Sequence, residues 1–281
     1  MKYYDRSGKL VSKDDKLNTF LTMMYKTRVR RSIMKLFTSE SFSNIVGYIL
    51  DSGVSKILIN PFIKANNIDM NEFEERNYKS YNDFFTRKIK DGKRKFSNNP
   101  EDLCSPCDGK LQVFKITKKK FKIKGTDYSL ESLLRNKKLA KRYKNGHIAI
   151  FRLSVDNYHR YAYIDDGIKS KNYSIPGFLY SVDPAVIEKV PVYKENKREF
   201  CLLKTKNFGT VLHMEVGATI VGKISNYHEQ FHIKRGMEKG MFEFGGSTIV
   251  LIFQKNKVKF NPRYIDSKYE HEVYMGDIIN N

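Results

Sequence analysis

The spacing of apolar residues changes part-way along the chain, and this limits the fold more than any other feature. From about residue 103 they come in short runs: Leu111–Ile116, His147–Leu153, Thr210–Val216, Ala218–Val221 and Thr248–Phe253. Gly, Pro and Asn break these runs, which is the pattern of strands joined by turns. One helix interrupts them, over roughly Ser129–Tyr143, with Ser129 as its N-cap. The stretch Lys118–Lys124 alternates lysine with Phe121 and Ile123 and reads as a lysine-faced edge strand. Residues 15 to about 75 behave differently. Leu17, Phe20, Leu21 and Met24 fall on one helix face, and the stripe continues through Val29, Ile33, Leu36 and Phe37. The expected class is α+β: a basic helical N-terminal region over 1–75 and a β-rich main body over 76–281.

Charge narrows the partners. The 281 residues hold 52 Lys and Arg against 31 Asp and Glu, a net charge of +21. Such a chain attracts anions, whether nucleic acid, an anionic membrane surface or an acidic ligand. Between Lys16 and Lys35 lie six cations (Lys16, Lys26, Arg28, Arg30, Arg31, Lys35) and no acid. A basic amphipathic helix of this kind suits a membrane interface. It equally suits packing on its own protein with a solvated basic face. The length suffices for a core without disulfides. Cys104, Cys107 and Cys201 cannot build a secreted disulfide framework. The N-terminus lacks the apolar centre of a signal peptide, and no window approaches 18 apolar residues. The expectation is a cytoplasmic protein, soluble or peripheral to a membrane.

Several short motifs could carry chemistry. Cys104-Ser-Pro-Cys107 lacks the second cysteine pair that a zinc site needs. His228-Glu229-Gln-Phe-His232 matches the HExxH pattern of zinc peptidases, whose chemistry needs a helix. Here Tyr227, Phe231 and Ile233 alternate as in a strand, and no third ligand follows nearby. No metal is expected. Tyr158-His159-Arg160, after Ser154-Val-Asp-Asn, places an acid or base in a polar loop; its plain reading is a capped turn. Asp108-Gly109 alone is a turn dipeptide. In Phe244-Gly245-Gly246-Ser247, two glycines free the backbone before a hydroxyl that could attack the preceding carbonyl. Alone, this too reads as a turn.

Taken in order, these stretches resemble the pyruvoyl-dependent bacterial phosphatidylserine decarboxylases. Phe84-Phe85-Thr-Arg87 is similar to the family's FFxR segment, and Ser105-Pro-Cys-Asp108-Gly109 to its SPxDG turn. Phe151-Arg-Leu followed by Asp156-Asn-Tyr158-His159-Arg160 resembles its DYHR segment. Pro176-Gly177-Phe-Leu-Tyr-Ser181-Val resembles its PGxLYSV run, and Val216-Gly217-Ala218 through Gly222 its VGAxxVG segment. Phe244-Gly245-Gly246-Ser247-Thr248 is similar to its processing site. The resemblance covers roughly residues 75 to 255, and six ordered motifs make it specific.

The resemblance implies a proenzyme that cleaves itself between Gly246 and Ser247. The products are a β chain, 1–246, and an α chain, 247–281, which pair non-covalently; a homodimer is compatible with it. Ser247 becomes a pyruvoyl cofactor, which forms a Schiff base with the amine of phosphatidylserine and yields phosphatidylethanolamine. Serine needs a base, and the base needs orienting. His159 is the expected base and Asp108 the expected orienting acid, while Gly245 and Gly246 permit a strained peptide. The resemblance also implies a membrane-associating N-terminal region and a peripheral location on the cytoplasmic face of the cell membrane. Three departures stand out. Ala162 replaces a second histidine that many members carry three residues after His159, leaving His159, His213 or His228 as base. Cys107 stands where alanine is common, and Arg94 is followed by Lys95 where a proline is usual. The other readings are the zinc peptidase, which lacks a helix and a third ligand, and a basic nucleic-acid-binding protein. No nucleic-acid recognition signature appears, and no nucleic acid is expected as partner.

Overall fold

The structure, a computed structural model, describes residues 2–12, 40–117, 120–123, 126–182, 184–187, 191–218, 223–243 and 247–281. Strands β1 (Lys2–Tyr4) and β2 (Leu10–Ser12) come first. Helices α1 (Glu40–Asp51), α2 (Ile59–Asn66) and α3 (Tyr81–Phe85) follow, with a 3-10 turn at Gly53–Leu58. Next are β3 (Gly109–Lys115), β4 (Lys120–Ile123), β5 (Thr126–Ser129), α4 (Leu130–Leu134), α5 (Lys137–Arg142) and β6 (His147–Leu153). Then come β7 (Arg160–Ala162), β8 (Gly167–Lys169), β9 (Tyr173–Ile175), α6 (Pro184–Ile187) and α7 (Val192–Glu195). The last are β10 (Arg198–Thr205), β11 (Thr210–Val216), β12 (Lys223–Asn226), β13 (Phe231–Ile233), β14 (Glu238–Glu243), β15 (Ser247–Phe253) and β16 (Glu270–Val273).

Four of the short apolar runs form strands β3, β6, β11 and β15 of one mixed sheet, ordered β13, β8, β10, β11, β15, β6, β3, β16, β1 and β2, with β9 on the edge of β10; the run Ala218–Val221 lies, but for Ala218, outside the described residues. Strands β7, β14 and β12 form a second, three-stranded sheet. Every residue of β15 is buried, because successive side chains face opposite sides of the sheet and both sides are covered. Val250 and Ile252 join Ile150, Leu133, Tyr143 and Tyr193 in one core. Ile249, Leu251 and Phe253 join Phe151, Tyr161 and Phe242, the last two from the smaller sheet, in the other. Each such side chain contributes roughly 1.5–3 kcal/mol by leaving water. The class is α+β, as the changing period indicates.

Three local features depart from the periodicity. The expected helix over Ser129–Tyr143 splits into α4 and α5. Ser129 does cap α4 through a reciprocal pairing with Ser132, but Arg135 turns left-handed (φ 47°) and Asn136 caps a new helix. Residues 2–12, within the region assigned to helices, form a hairpin whose first strand runs parallel to β16. The helical packing also continues past residue 75: Tyr81, Phe84 and Phe85 of α3 pack with Leu50, Val46, Ile59 and Phe62. Among the described residues strand β4 has β5 as its ladder partner and a single bridge from Lys120 to Thr117, so it is the edge its lysines suggest. The basic stripe Leu17–Phe37 lies outside the described residues.

Candidate active site

Strand register gathers the candidate residues at one end of the large sheet. Ser247 opens β15 and is level with Leu153, the last residue of β6. Thr248 is level with Val216, the last of β11. Gly109 opens β3 and is level with Val273, the last of β16. The segment leading to His159, the residue Asp108 and the segment after Val216 therefore all leave the sheet where β15 begins. By the alternation of the strand, Ser247 faces the same side as Ile249, toward the smaller sheet. It is fully buried, and its Oγ has no hydrogen-bond partner among the described residues. Phe244, Gly245 and Gly246 lie outside the described residues; they link β14 of the small sheet to β15 of the large one.

His159 is held from three sides. The Asn157 N–H donates to the Ser154 carbonyl at 2.9 Å, and Asn157 Oδ1 accepts the Ser154 N–H at 2.8 Å, closing a tight turn. That turn aims the Asn157 carbonyl at His159 Nδ1, 2.9 Å away. A carbonyl only accepts, so Nδ1 carries the proton, and the lone pair of the neutral ring sits on Nε2. The Phe85 ring lies 4.2 Å from the imidazole, centroid to centroid. The His159 carbonyl accepts the Phe242 N–H of β14.

Asp108 is buried at the same sheet end, but its carboxylate faces elsewhere. Arg94 binds it with two prongs, Nη2 to Oδ2 at 2.8 Å and Nε to Oδ1 at 3.0 Å, and the Met275 N–H donates to Oδ1 at 2.8 Å. Arg94 also reaches Glu72 Oε2 at 3.0 Å. Burial pushes the Asp108 carboxyl up, against the pull of Arg94 and the Met275 N–H. Ser247 and the segment that leads to His159 thus meet at one sheet end, while the acceptor on His159 Nδ1 is the Asn157 carbonyl and not Asp108. The motif reading missed Arg94 and the Asn157 carbonyl. The turn-forming pair Ser154 and Asn157 was the available signal for the second.

The other histidines lie apart. His213 is level with Leu251, four positions into β15 and about 13 Å along the strand from Ser247. It is fully buried, 3.3 Å from Glu215, which pairs with Lys239 at 2.6 Å. Burial, then Lys239 and Lys169, pushes its imidazole well below the ordinary 6.5. His228 stacks on Phe231 at 4.4 Å and meets the Tyr163 hydroxyl at 3.2 Å. Glu229 accepts from Asn172, and β13 over Phe231–Ile233 is a strand, so the HExxH residues do not share a helix face. No group of three metal-ligating side chains occurs among the described residues. Ala162 packs with Phe73, Tyr158 and Met275, and its N–H donates to the Pro106 carbonyl.

The model of the phosphatidylserine decarboxylase family matches residues 81–280. The chain belongs to the phosphatidylserine decarboxylase family. A phosphatidylserine decarboxylase proenzyme 2 of Clostridium acetobutylicum is 43% identical over 99% of the chain and 94% of its own length. A proenzyme of Clostridium tetani is 40% identical over 99% and 97%. One of Ruminiclostridium cellulolyticum is 41% identical over 93% and 90%. The family match starts at the first residue of α3 and takes in the whole described site. The hairpin, α1 and α2 precede it, and the relatives that align over 99% of the chain cover these elements as well.

Proposed function

We propose that the chain decarboxylates phosphatidylserine to phosphatidylethanolamine, using a pyruvoyl group that it makes from Ser247 by cutting itself after Gly246. The observation that carries this reading is the Ser247 hydroxyl, buried at the head of a central strand with no hydrogen-bond partner among the described residues. Leaving such a group unpaired costs roughly 1–3 kcal/mol, which suits a hydroxyl kept for a reaction. In the proposed maturation His159 takes the Ser247 proton and Oγ attacks the Gly246 carbonyl carbon. The Gly246–Ser247 C–N bond breaks, that proton passes to the Ser247 nitrogen, and an ester joins Gly246 to Oγ. Loss of the Cα proton expels the Gly246 carboxylate and leaves dehydroalanine at 247. Its imine tautomer takes up water and releases ammonia. The chains formed are 1–246 and 247–281.

The residues present fit this group. When formed, it supplies an electrophilic carbonyl for the lipid's serine amine and an electron sink for the loss of CO₂. Tyr161 and Phe242 line the side of the sheet that Ser247 faces, and Phe85 covers the His159 ring. Such apolar walls solvate a carboxylate poorly and favour its loss. His159, through Nε2, is the proposed proton carrier in both stages. Asp108 supports it indirectly: with Arg94 and Met275 it pins the Ser105–Gly109 turn between the two future chains.

The proposed place of action is a peripheral one, on the cytoplasmic face of the membrane that holds the lipid. No described helix is long and apolar enough to cross a membrane. Helix α1, the 3-10 turn after it and the junction with α2 instead expose Ile45, Tyr48, Ile49, Val54, Ile57 and Leu58, with Tyr48 at 82% and Val54 at 83%. A cluster of this kind marks an interaction surface. A bilayer is its proposed occupant, since the lipid substrate must be reached and the chain carries +21. The test is to incubate the purified chain with phosphatidylserine vesicles. Release of CO₂ with formation of phosphatidylethanolamine, lost in Ser247→Ala, supports the reading; an active Ser247→Ala chain contradicts it.

A further inference from the structure

Arg87 is the least satisfied charge in the described fold. It lies just past α3, is 0% exposed, and none of its side-chain nitrogens has a hydrogen-bond partner among the described residues. Its guanidinium sits over the faces of Phe73 and Phe84, 4.3 and 4.9 Å from the ring centroids. Cation–π contact compensates part of the lost hydration, but it leaves the N–H donors unused. The Tyr78 hydroxyl, also buried and without a partner, is the leading opposing influence as burial pushes Arg87 down to about 10. The two residues share Phe84, whose ring is edge-on to that of Tyr78 at 5.3 Å. Two kinds of unused donor in one apolar setting ask for an acceptor carrying negative charge.

We propose that Arg87 and Tyr78 bind the phosphodiester of the phospholipid headgroup; this rests on the decarboxylase reading above. The position agrees with that role. Phe85, two residues before Arg87, covers His159, and Phe73, under the guanidinium, packs with Tyr158, the residue before His159. Tyr78 also lines a surface cleft of about 440 Å³ with Met70, Glu74, Glu75, Arg76 and Asn77, while its hydroxyl and the Arg87 guanidinium are buried. Glu74 and Glu75 precede Arg76 there, so the cleft does not select anions by charge alone; selection falls to the buried donors. Reaction chemistry favours phosphate over carboxylate. A cation on the departing carboxylate would hold the ground state more than the transition state, whereas the phosphate keeps its charge throughout.

The test uses full-length, self-cleaved protein and three amines: dihexanoyl phosphatidylserine, dihexanoyl phosphatidylethanolamine and propylamine. Each is attached to the α chain by cyanoborohydride and followed by mass spectrometry. For Arg87→Met, attachment of both lipids at low concentration falls roughly ten- to a hundredfold, while propylamine attaches as before. Inorganic phosphate competes with the lipids in the native protein and not in the variant. Tyr78→Phe repeats the pattern more weakly and serves alone if Arg87→Met fails to fold. Loss with phosphatidylserine only makes the ligand the carboxylate. Equal loss with all three amines makes Arg87 structural, and no loss makes it a buried strut; each of these overturns the proposal. A native protein that attaches no amine would instead remove the decarboxylase reading itself.

Discussion

The His159 carbonyl accepts the Phe242 N–H at 2.9 Å, which joins the expected base to β14, the strand that runs into the 244–246 segment. The imidazole is aimed by the Asn157 carbonyl, so its orientation rests on a backbone group. Asp108 belongs to a neighbouring ion pair with Arg94, in which both side chains are nearly buried, at 5% and 7% exposure.

That division of labour gives two variants the same expected behaviour. Removing one partner of a buried pair costs roughly 3–5 kcal/mol. Arg94→Met and Asp108→Asn are therefore expected to lower the melting temperature alike and to slow self-cleavage alike. Thermal melts and the cleaved fraction on a gel measure both. An Asp108→Asn chain that melts normally but never cleaves, beside a normal Arg94→Met chain, would show direct orientation of His159 by Asp108.

The two chains are expected to stay together after cleavage. Strand β15 is level with β6 from Ser247 to Phe253 and with β11 from Thr248 to Ile252, and β16 is held by β3 and β1. A cut before Ser247 leaves all these ladders intact. Gel filtration of the cleaved protein gives one peak containing both chains, separating only in denaturant. Dissociation in plain buffer would contradict the topology.

Acid should weaken the fold through His213. Its folded imidazole stays neutral well below the ordinary 6.5, held down by burial and then by Lys239 and Lys169. Below about pH 6.5 the unfolded chain takes up a proton that the folded one does not, at about 1.4 kcal/mol per pH unit for one such group. Stability from this source is complete above that pH and declines as the pH falls. Denaturant titrations between pH 7 and 5 are expected to show a shallower decline for His213→Gln. An identical decline would mean that His213 is not the linked group.

The exposed apolar face makes a prediction about membranes. Ile49→Glu, Val54→Glu and Ile57→Glu together place three charges where the bilayer is expected. Binding to anionic vesicles should fall at least roughly tenfold, with self-cleavage unchanged. Vesicle sedimentation measures this, and unchanged binding would remove the face from the docking surface.

Much of the body was legible because its strands are buried on both sides, which writes short continuous apolar runs into the sequence. β3, β6, β11 and β15 lie where those runs fall. The β1–β2 hairpin was not legible: three-residue strands carry little pattern, and the partner of β1 is Glu270–Val273, more than 260 residues away. The break at Arg135 was hidden because arginine is a good helix former and its left-handed turn is set by context. Within the site, Ser247, His159 and Asp108 could be singled out as chemistry-bearing residue types. The Asn157 carbonyl, the Arg94 pairing and the idle donors of Arg87 are products of folding, and no single-residue pattern announces them.

The central claim is that Ser247 becomes the new blocked end of a separate chain. Intact mass and peptide sequencing of the purified, folded protein test it most directly. The expected result is a C-terminal chain of 281 − 246 = 35 residues that begins with a pyruvoyl group in place of Ser247, and an uncut chain for Ser247→Ala. A folded, active protein that remains a single 281-residue chain, or a fragment beginning with an ordinary serine amine, would contradict it.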